Sequence, residues 1–84
     1  LIQAYLFDPT SDQWIPHGQE LLGDQVALSA DGTVLVTASD RIDGVATVYR
    51  FHENSWLKLK SIEIGAGTMI TVSADGTTMA FRGA

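Results

Sequence analysis

The chain has 84 residues, of which 45% are hydrophobic and 18% charged, and its formal net charge is −5. This composition is typical of a folded chain of one domain at most, and ten acidic residues against five scattered basic ones argue against nucleic acid as a partner. Cysteine is absent, which excludes disulfides, and no apolar stretch approaches the roughly 18–20 residues that span a bilayer, so no membrane insertion is predicted.

In chain order, the sequence predicts eight β-strands, each a Val- and Leu-rich or alternating run bounded by polar turns. The two "ADG" triplets are predicted to close tight hairpins, because glycine adopts positive φ without strain. No segment has helical periodicity. The predicted strands cover residues 1–7, 14–21, 25–30, 33–39, 45–52, 56–64, 69–74 and 77–83.

Two parts of the chain repeat each other at an offset of 44 residues. "LSADGT" at 28–33 returns as "VSADGT" at 72–77, and "YLF" at 5–7 returns as "YRF" at 49–51. Trp14 and Trp56 are 42 residues apart because the loop "DPTSDQ" is two residues longer than its counterpart "HENS", a change that repeats tolerate in loops. Four strands in 44 residues is typical of one blade of a β-propeller.

The predicted fold class is therefore all-β, with two propeller repeats that form four-stranded antiparallel meanders. Residues 1–24 are expected to supply the last two strands of a first blade, residues 25–64 a complete blade, and residues 65–84 the first two strands of a third. Isolated strand pairs are marginal in water and expose an edge, so the half-blades are expected to pair with other copies or with the remaining blades of a longer chain. The start at Leu1 without Met, and the end at Ala84 inside an apolar run, suggest a segment of a larger propeller or assembly.

Three segments carry a more specific pattern: "GDQVALSADGTVLVTAS", "GVATVYRFHENSWLKLKSI" and "TVSADGTTMAFRGA". They contain Gly-Asp, S-x-D-G before an apolar strand, a final Gly-Ala, an aromatic strand and a Trp. This pattern resembles the FG-GAP group of β-propeller repeats, although the Phe-Gly pair that would fall between Gln25 and Val26 is missing. WD40 repeats are the neighbouring family, but the chain contains neither Gly-His nor Trp-Asp. The FG-GAP resemblance implies a propeller in an extracellular or cell-surface protein.

Integrin-type FG-GAP propellers hold Ca²⁺ in Asp-rich loops, so the resemblance draws attention to "DPTSDQ". Asp8, Thr10 and Asp12 have the 1-3-5 oxygen spacing of a calcium loop. However, the glycine required next is Gln13, and no acidic residue follows at the closing position. We therefore interpret the loop as a solvated hairpin tip, with these three residues as weak metal candidates, and we expect no metal site and no cofactor.

Two histidines and three serines are the candidates for a base and a nucleophile: His17, His52, Ser29, Ser55 and Ser73. No third group is placed beside them by the sequence, and no nucleophile elbow is present. Both histidines are predicted to lie at the surface. We expect no catalytic residue in the chain.

The predicted function is a non-enzymatic structural or protein-interaction module in an extracellular or surface assembly or filament. An alternative is a carbohydrate-binding propeller, in which the repeated Trp14 and Trp56 stack on sugars instead of filling equivalent packing sites between blades. A third hypothesis is part of a propeller enzyme whose site is completed by other blades.

For the central blade, strand alternation predicts which side chains are buried. The residues predicted to be largely buried are Val26, Leu28, Leu35, Val48, Tyr49 and Leu57. The residues predicted to be exposed are Asp31, Asp43, Glu53 and Lys58.

Overall fold

The computed structural model describes residues 1–23, 25–39, 44–63 and 69–82. Over these residues the chain is all-β without a helix, as predicted, and its strands form three antiparallel sheets. The central sheet is a meander of four strands, and a two-stranded sheet precedes and follows it. The strands are β1 (Tyr5–Asp8), β2 (Gln13–Pro16), β3 (Gln25–Leu28), β4 (Val34–Ser39), β5 (Val45–His52), β6 (Ser55–Glu63), β7 (Met69–Val72) and β8 (Met79–Arg82).

All eight predicted strands are present, and most are shorter than predicted. The largest difference is the second strand, predicted at 14–21, which ends at Pro16. Beyond Pro16 the chain leaves the β1–β2 sheet and crosses over the central sheet. In this segment, Leu21 pairs with Ile2 through an isolated antiparallel bridge. The predicted end residues Ile64 and Gly83 lie outside the described residues.

Corresponding strand pairs share their register. Each β3–β4 partner pair is matched by a β7–β8 pair 44 residues further along, and the β1–β2 pairs match the end of the β5–β6 ladder. Examples are Leu28↔Leu35 with Val72↔Met79, and Phe7↔Trp14 with Phe51↔Trp56.

The hydrophobic core lies on both faces of β4. On one face, Leu35 packs in a buried cluster with Leu21 and Trp56, which residues from the start of the chain and from β5 extend. On the other face, Val34 is 1% exposed and lies against the β7–β8 turn, and β7 itself packs on β3 and β4. A strand buried on both faces is expected to be mostly apolar, which explains the run "VLVTA", where Thr37 is the one polar residue and is also buried.

The burial predictions are confirmed in part. Leu35 is buried, at 2% exposure, whereas Val48 and Tyr49 are only half-buried. Asp31, Glu53 and Lys58 are exposed as predicted. Asp43 lies outside the described residues.

Three of the predicted core residues are exposed instead: Val26 at 50%, Leu28 at 52% and Leu57 at 47%. Leu28 shares the face of its β4 partner Leu35, but β3 is an edge strand, and the segments that cover this face stop short of it. Leu57 lies on edge strand β6, on the opposite face from the buried Trp56. Alternation gave the correct strands, but it did not show which parts of each face are covered.

Candidate functional site

An open groove of about 280 Å³ lies between β1 and the turn that joins β3 to β4. Three of its apolar side chains are half exposed: Tyr5 at 57%, Leu6 at 51% and Leu28 at 52%. The groove is lined by residues 4–6, His17, Leu28, residues 31–33, Phe51 and Trp56. Exposed apolar side chains gathered in one concave site indicate a binding surface.

Aromatic rings form one side of the groove. The imidazole of His17 stacks on the ring of Phe51 with centroids 3.8 Å apart and an interplanar angle of 18°. Trp56 meets Phe51 edge-on at 5.0 Å and 70°. Stacked and edge-to-face pairs are the favoured geometries of aromatic side chains, so the rings hold one another in place.

Residues 17–19 hold Trp56 from the other side, His17 through its backbone carbonyl and Gln19 through its side chain. The indole Nε1 donates to the carbonyl of His17 at 2.9 Å. Gln19 accepts from Trp56 N through Oε1 and donates to Trp56 O through Nε2, both at 2.8 Å. Gly18 lies so close that a Cβ there would be 2.6 Å from Trp56 Cδ1. These contacts explain why Trp56 is only 3% exposed.

The turn beside the groove is held together by the side chain of Asp31. Its Oδ1 accepts hydrogen bonds from Ser29 Oγ at 2.7 Å, from Thr33 N at 3.0 Å and from Thr33 Oγ1 at 2.7 Å. These donors favour the ionised carboxylate, and with Ser29 as the largest contributor they lower the pKa of Asp31 to about 2. Ser29 Oγ in turn accepts from Val34 N at 3.1 Å.

The turn between β7 and β8 repeats this network. Asp75 Oδ1 accepts from Ser73 Oγ at 2.9 Å, from Thr77 N at 3.1 Å and from Thr77 Oγ1 at 2.8 Å. Ser73 Oγ accepts from Thr78 N at 3.0 Å. The same physical cause, led here by the Thr77 hydroxyl, lowers the pKa of Asp75. The aspartates are therefore structural parts of the turns, as Asp-Gly pairs commonly are.

The two turns touch each other, but their glycines differ in environment. Asp31 N donates to Ala74 O at 3.2 Å. Gly76, with φ at +77°, lies against Val34, and a Cβ there would be 2.7 Å from Val34 Cβ. Gly32 has nearly the same φ, +75°, yet no atom lies within 4 Å of the corresponding position. The surface beside Gly76 is therefore covered by Val34, whereas the equivalent surface beside Gly32 is open to the groove.

The weak metal candidates lie in the β1–β2 turn. Both carboxylate oxygens of Asp8 accept hydrogen bonds within that turn, Oδ1 from Thr10 N at 3.0 Å and Oδ2 from Ser11 Oγ at 2.9 Å. Asp12 closes the turn with φ at +59°. Among the residues that the structure describes, no three His, Asp or Glu side chains are grouped as metal ligands would be.

The candidate nucleophiles also have structural partners. The hydroxyls of Ser29 and Ser73 donate to the turn aspartates, and Ser55 Oγ donates to the carbonyl of His52 at 3.3 Å. His52 Nε2 lies 3.5 Å from Glu53 Oε1, and both side chains are largely exposed. These hydrogen bonds join none of the three hydroxyls to an imidazole.

The repeated tryptophans occupy corresponding strand positions but different surroundings. Each packs against a phenylalanine of the neighbouring strand, Trp14 against Phe7 at 5.2 Å and Trp56 against Phe51 at 5.0 Å. Trp14 is nevertheless 67% exposed, and Trp56 is buried. Among the described residues, a segment such as 17–19 lies over Trp56 but not over Trp14.

Sequence reasoning missed the contribution of residues 17–19 to the site. It placed His17 alone at the surface and gave Gly18 and Gln19 no role. Their contacts with Trp56 span 37 to 39 residues of sequence, and no local pattern predicts such pairs. The only available signal was the repeat itself, because a tryptophan that is buried in one repeat must be covered by another segment of the chain.

Comparison with family models, with curated proteins and with solved structures finds no match to this chain. In the part of the chain that the structure describes, no helix has the length and apolarity needed to cross a membrane. The basis for a functional proposal is therefore the geometry of the strands and the groove.

Proposed function

We propose that the chain is a non-enzymatic structural and protein-interaction module, built from propeller-like blades of 44 residues that associate with further blades or with other copies. The observation that carries this proposal is the common register of the strand pairs: β3–β4 matches β7–β8 along its whole length, and β1–β2 matches the end of β5–β6. The central meander then corresponds to one whole blade and the flanking pairs to two halves.

The turn networks support the same interpretation. Asp31 and Asp75 each accept three hydrogen bonds from equivalent Ser and Thr donors, and the turns contact each other through Asp31 N and Ala74 O. Successive propeller blades place equivalent elements side by side in this way. Among the described residues, the hydroxyls of Ser29 and Ser73 and the carboxylates of Asp31 and Asp75 hold turns together.

The half-blades supply the reason for association. A two-stranded sheet is marginal in water by itself and has an edge open to pairing. Tyr5, Leu6 and Trp14 on the first pair are all more than half exposed. The resemblance to FG-GAP repeats further suggests that the assembly is extracellular or at the cell surface.

Sedimentation of the 84-residue chain over a wide concentration range, with electron microscopy of the same samples, tests the proposal. We expect folded β-structure that associates as concentration rises, into rings or filaments of blades. A cooperative, folded species that stays at 9.0 kDa at every concentration would contradict it.

Carbohydrate binding is the second candidate, because the β1–β2 hairpin has an aromatic face. Tyr5, Phe7 and Trp14 share that face through alternation and pairing, and all three are exposed, at 57%, 39% and 67%. Aromatic faces stack on the apolar sides of sugars. Binding on a glycan array that Trp14→Ala removes would favour this function over an assembly role.

A further inference from the structure

We propose that the groove receives the β7–β8 hairpin of another copy of this chain, with β8 of that copy pairing antiparallel with β1 of the copy that holds the groove. This inference rests on the proposed function and specifies its partner, strand register and contacts. The copy that supplies β8 is called the first copy, and the copy that supplies β1 and the groove is called the second copy.

The surfaces needed for this contact are present and uncovered. In the described residues, β1 pairs only with β2 and β8 only with β7, so each has an edge without a neighbouring strand. Several exposed apolar side chains lie around β1 and on β6, among them Tyr5 at 57%, Leu6 at 51%, Trp14 at 67%, Leu57 at 47% and Leu59 at 56%.

The chain itself contains the template for the strand pairing. Val34 of β4 pairs with Arg50 of β5, and next to that pair Phe51 N donates to Thr33 O at 2.9 Å. The residue 44 positions after Val34 is Thr78, which lies in the first copy. The residue 44 positions before Arg50 is Leu6, which lies in the second copy, so the corresponding pair between copies is Thr78 with Leu6. The adjacent hydrogen bond then runs from Phe7 N of the second copy to Thr77 O of the first.

The groove gives an independent check of this register. Two of the neighbours of Val34 are Arg50 across the sheet and Gly76 of the next turn. Moved back by 44 residues, these neighbours are Leu6 and Gly32, and both line the groove. Thr78, the counterpart of Val34, would therefore enter the groove and fill the empty space beside Gly32. The strand pairing and the turn contact are separate observations, and both place Thr78 of the first copy between Leu6 and Gly32 of the second copy.

A second template concerns Trp14. Trp56 is buried because the segment after β2 lies over it, at the positions of His17 and Gln19. In the assembly, the corresponding cover for Trp14 of the second copy comes from β6 of the first copy. Leu57 and Leu59 are the exposed apolar side chains on that strand. The contact is heterologous, so it continues as a closed ring or a filament.

Disulfide crosslinking tests the register directly, because the chain has no cysteine of its own. Thr78→Cys and Leu6→Cys are prepared as separate chains, mixed and mildly oxidised. The template pair Val34↔Arg50 lies beside a hydrogen-bonded pair, so the new cysteines occupy a non-hydrogen-bonded position with the close Cα spacing that a disulfide requires. We expect the mixed disulfide to exceed both same-variant dimers at least about tenfold.

The matched control pairs Thr78→Cys with Ile15→Cys. Ile15 is the β2 partner of Leu6, so it lies one strand further from β8 and is expected to give only the random mixture. A second pair, Ala80→Cys with Ala4→Cys, tests the same register two residues along. It also covers the case in which Leu6→Cys fails to fold, which circular dichroism of each variant reports.

Dilution measurements add a test of the Trp14 contact. Trp14→Ala is expected to raise the concentration needed for assembly at least about tenfold, as the loss of a central aromatic contact does, without loss of β-structure. If the chain assembles but both cysteine pairs give random mixtures, this interface is wrong and the proposed function stands. If the chain never assembles, the interface and the proposed function fail together.

Discussion

The carboxamide of Gln19 binds the backbone of Trp56 on both sides, accepting from its N–H and donating to its carbonyl at 2.8 Å each. The two residues are 37 positions apart, and Gln19 lies in the segment after β2 whereas Trp56 lies on β6. The pair thus joins that segment to the edge of the central sheet. It satisfies two backbone groups on a strand that has no further neighbour in its sheet.

Replacement of Gln19 by Ala is expected to lower the free energy of unfolding by about 1–3 kcal/mol, because both partly buried backbone groups of Trp56 lose their partner. Urea denaturation of the dilute chain measures the effect. Gln13→Ala, at an exposed site on β2, is the control and should change stability by less than about 0.5 kcal/mol. Equal losses in the two variants would contradict the role given to Gln19.

Two glycines with similar backbone angles form a matched test of packing. Gly18 and Gly32 have φ at +82° and +75°, so alanine at either site incurs a left-handed backbone cost of about 1–2 kcal/mol. At Gly18 the new Cβ also collides with the indole of Trp56, whereas at Gly32 it meets open space. Gly18→Ala should therefore be about 1–3 kcal/mol more destabilising than Gly32→Ala in dilute thermal unfolding. Similar melting temperatures would refute the close contact with Trp56.

The two tryptophans are expected to differ in fluorescence. Trp14→Phe leaves only Trp56, which is 3% exposed, and Trp56→Phe leaves only Trp14, which is 67% exposed. In dilute samples, the chain that retains Trp14 should emit at longer wavelength and be quenched more strongly by iodide. At assembling concentrations that difference should shrink, because β6 of a neighbouring copy covers Trp14. A difference that is independent of concentration would contradict the cover.

The all-β class and the positions of the strands were largely predictable because their signals are local. Asp-Gly turns and apolar runs marked all eight strands, and the 44-residue offset anticipated the register that β3–β4 and β7–β8 share. Burial was less predictable. Val26, Leu28 and Leu57 belong to strands with apolar residues on both faces, and alternation does not distinguish a face covered by the chain from one left open.

The candidate site was barely predictable for a different reason. It depends on contacts between segments far apart in sequence, such as Gln19 with Trp56 and Gly76 with Val34. The Asp-Gly pairs were correctly interpreted as turn formers, but nothing local indicated that one glycine would lie against a neighbouring turn and the other would face a groove. Only the spatial comparison of equivalent positions distinguishes them.

The pKa of Asp31 predicts how stability depends on pH. The folded chain holds this pKa at about 2, below the ordinary value of 3.8, so protons bind more readily to the unfolded chain as pH falls. The stabilisation from the ionised carboxylate is present above about pH 4 and is lost as pH falls from there through about 2. Unfolding by urea at several pH values should show this loss. Asp31→Asn, which cannot titrate, should make the loss smaller, and the part that remains includes the contribution of Asp75.

Ser29→Ala provides the complementary test by removing the largest cause of the shift while keeping Asp31. In this variant, titration followed by NMR at the side-chain carboxyl carbons should show the pKa of Asp31 moving back up toward 3.8. The pKa of Asp75 should not change, because its lowering depends on Thr77 and Ser73 of its own turn. Asp75 is therefore an internal control in the same spectra. A pKa of Asp31 that remains near 2 after loss of the Ser29 hydroxyl would show that the hydrogen bond of that hydroxyl is not the main cause.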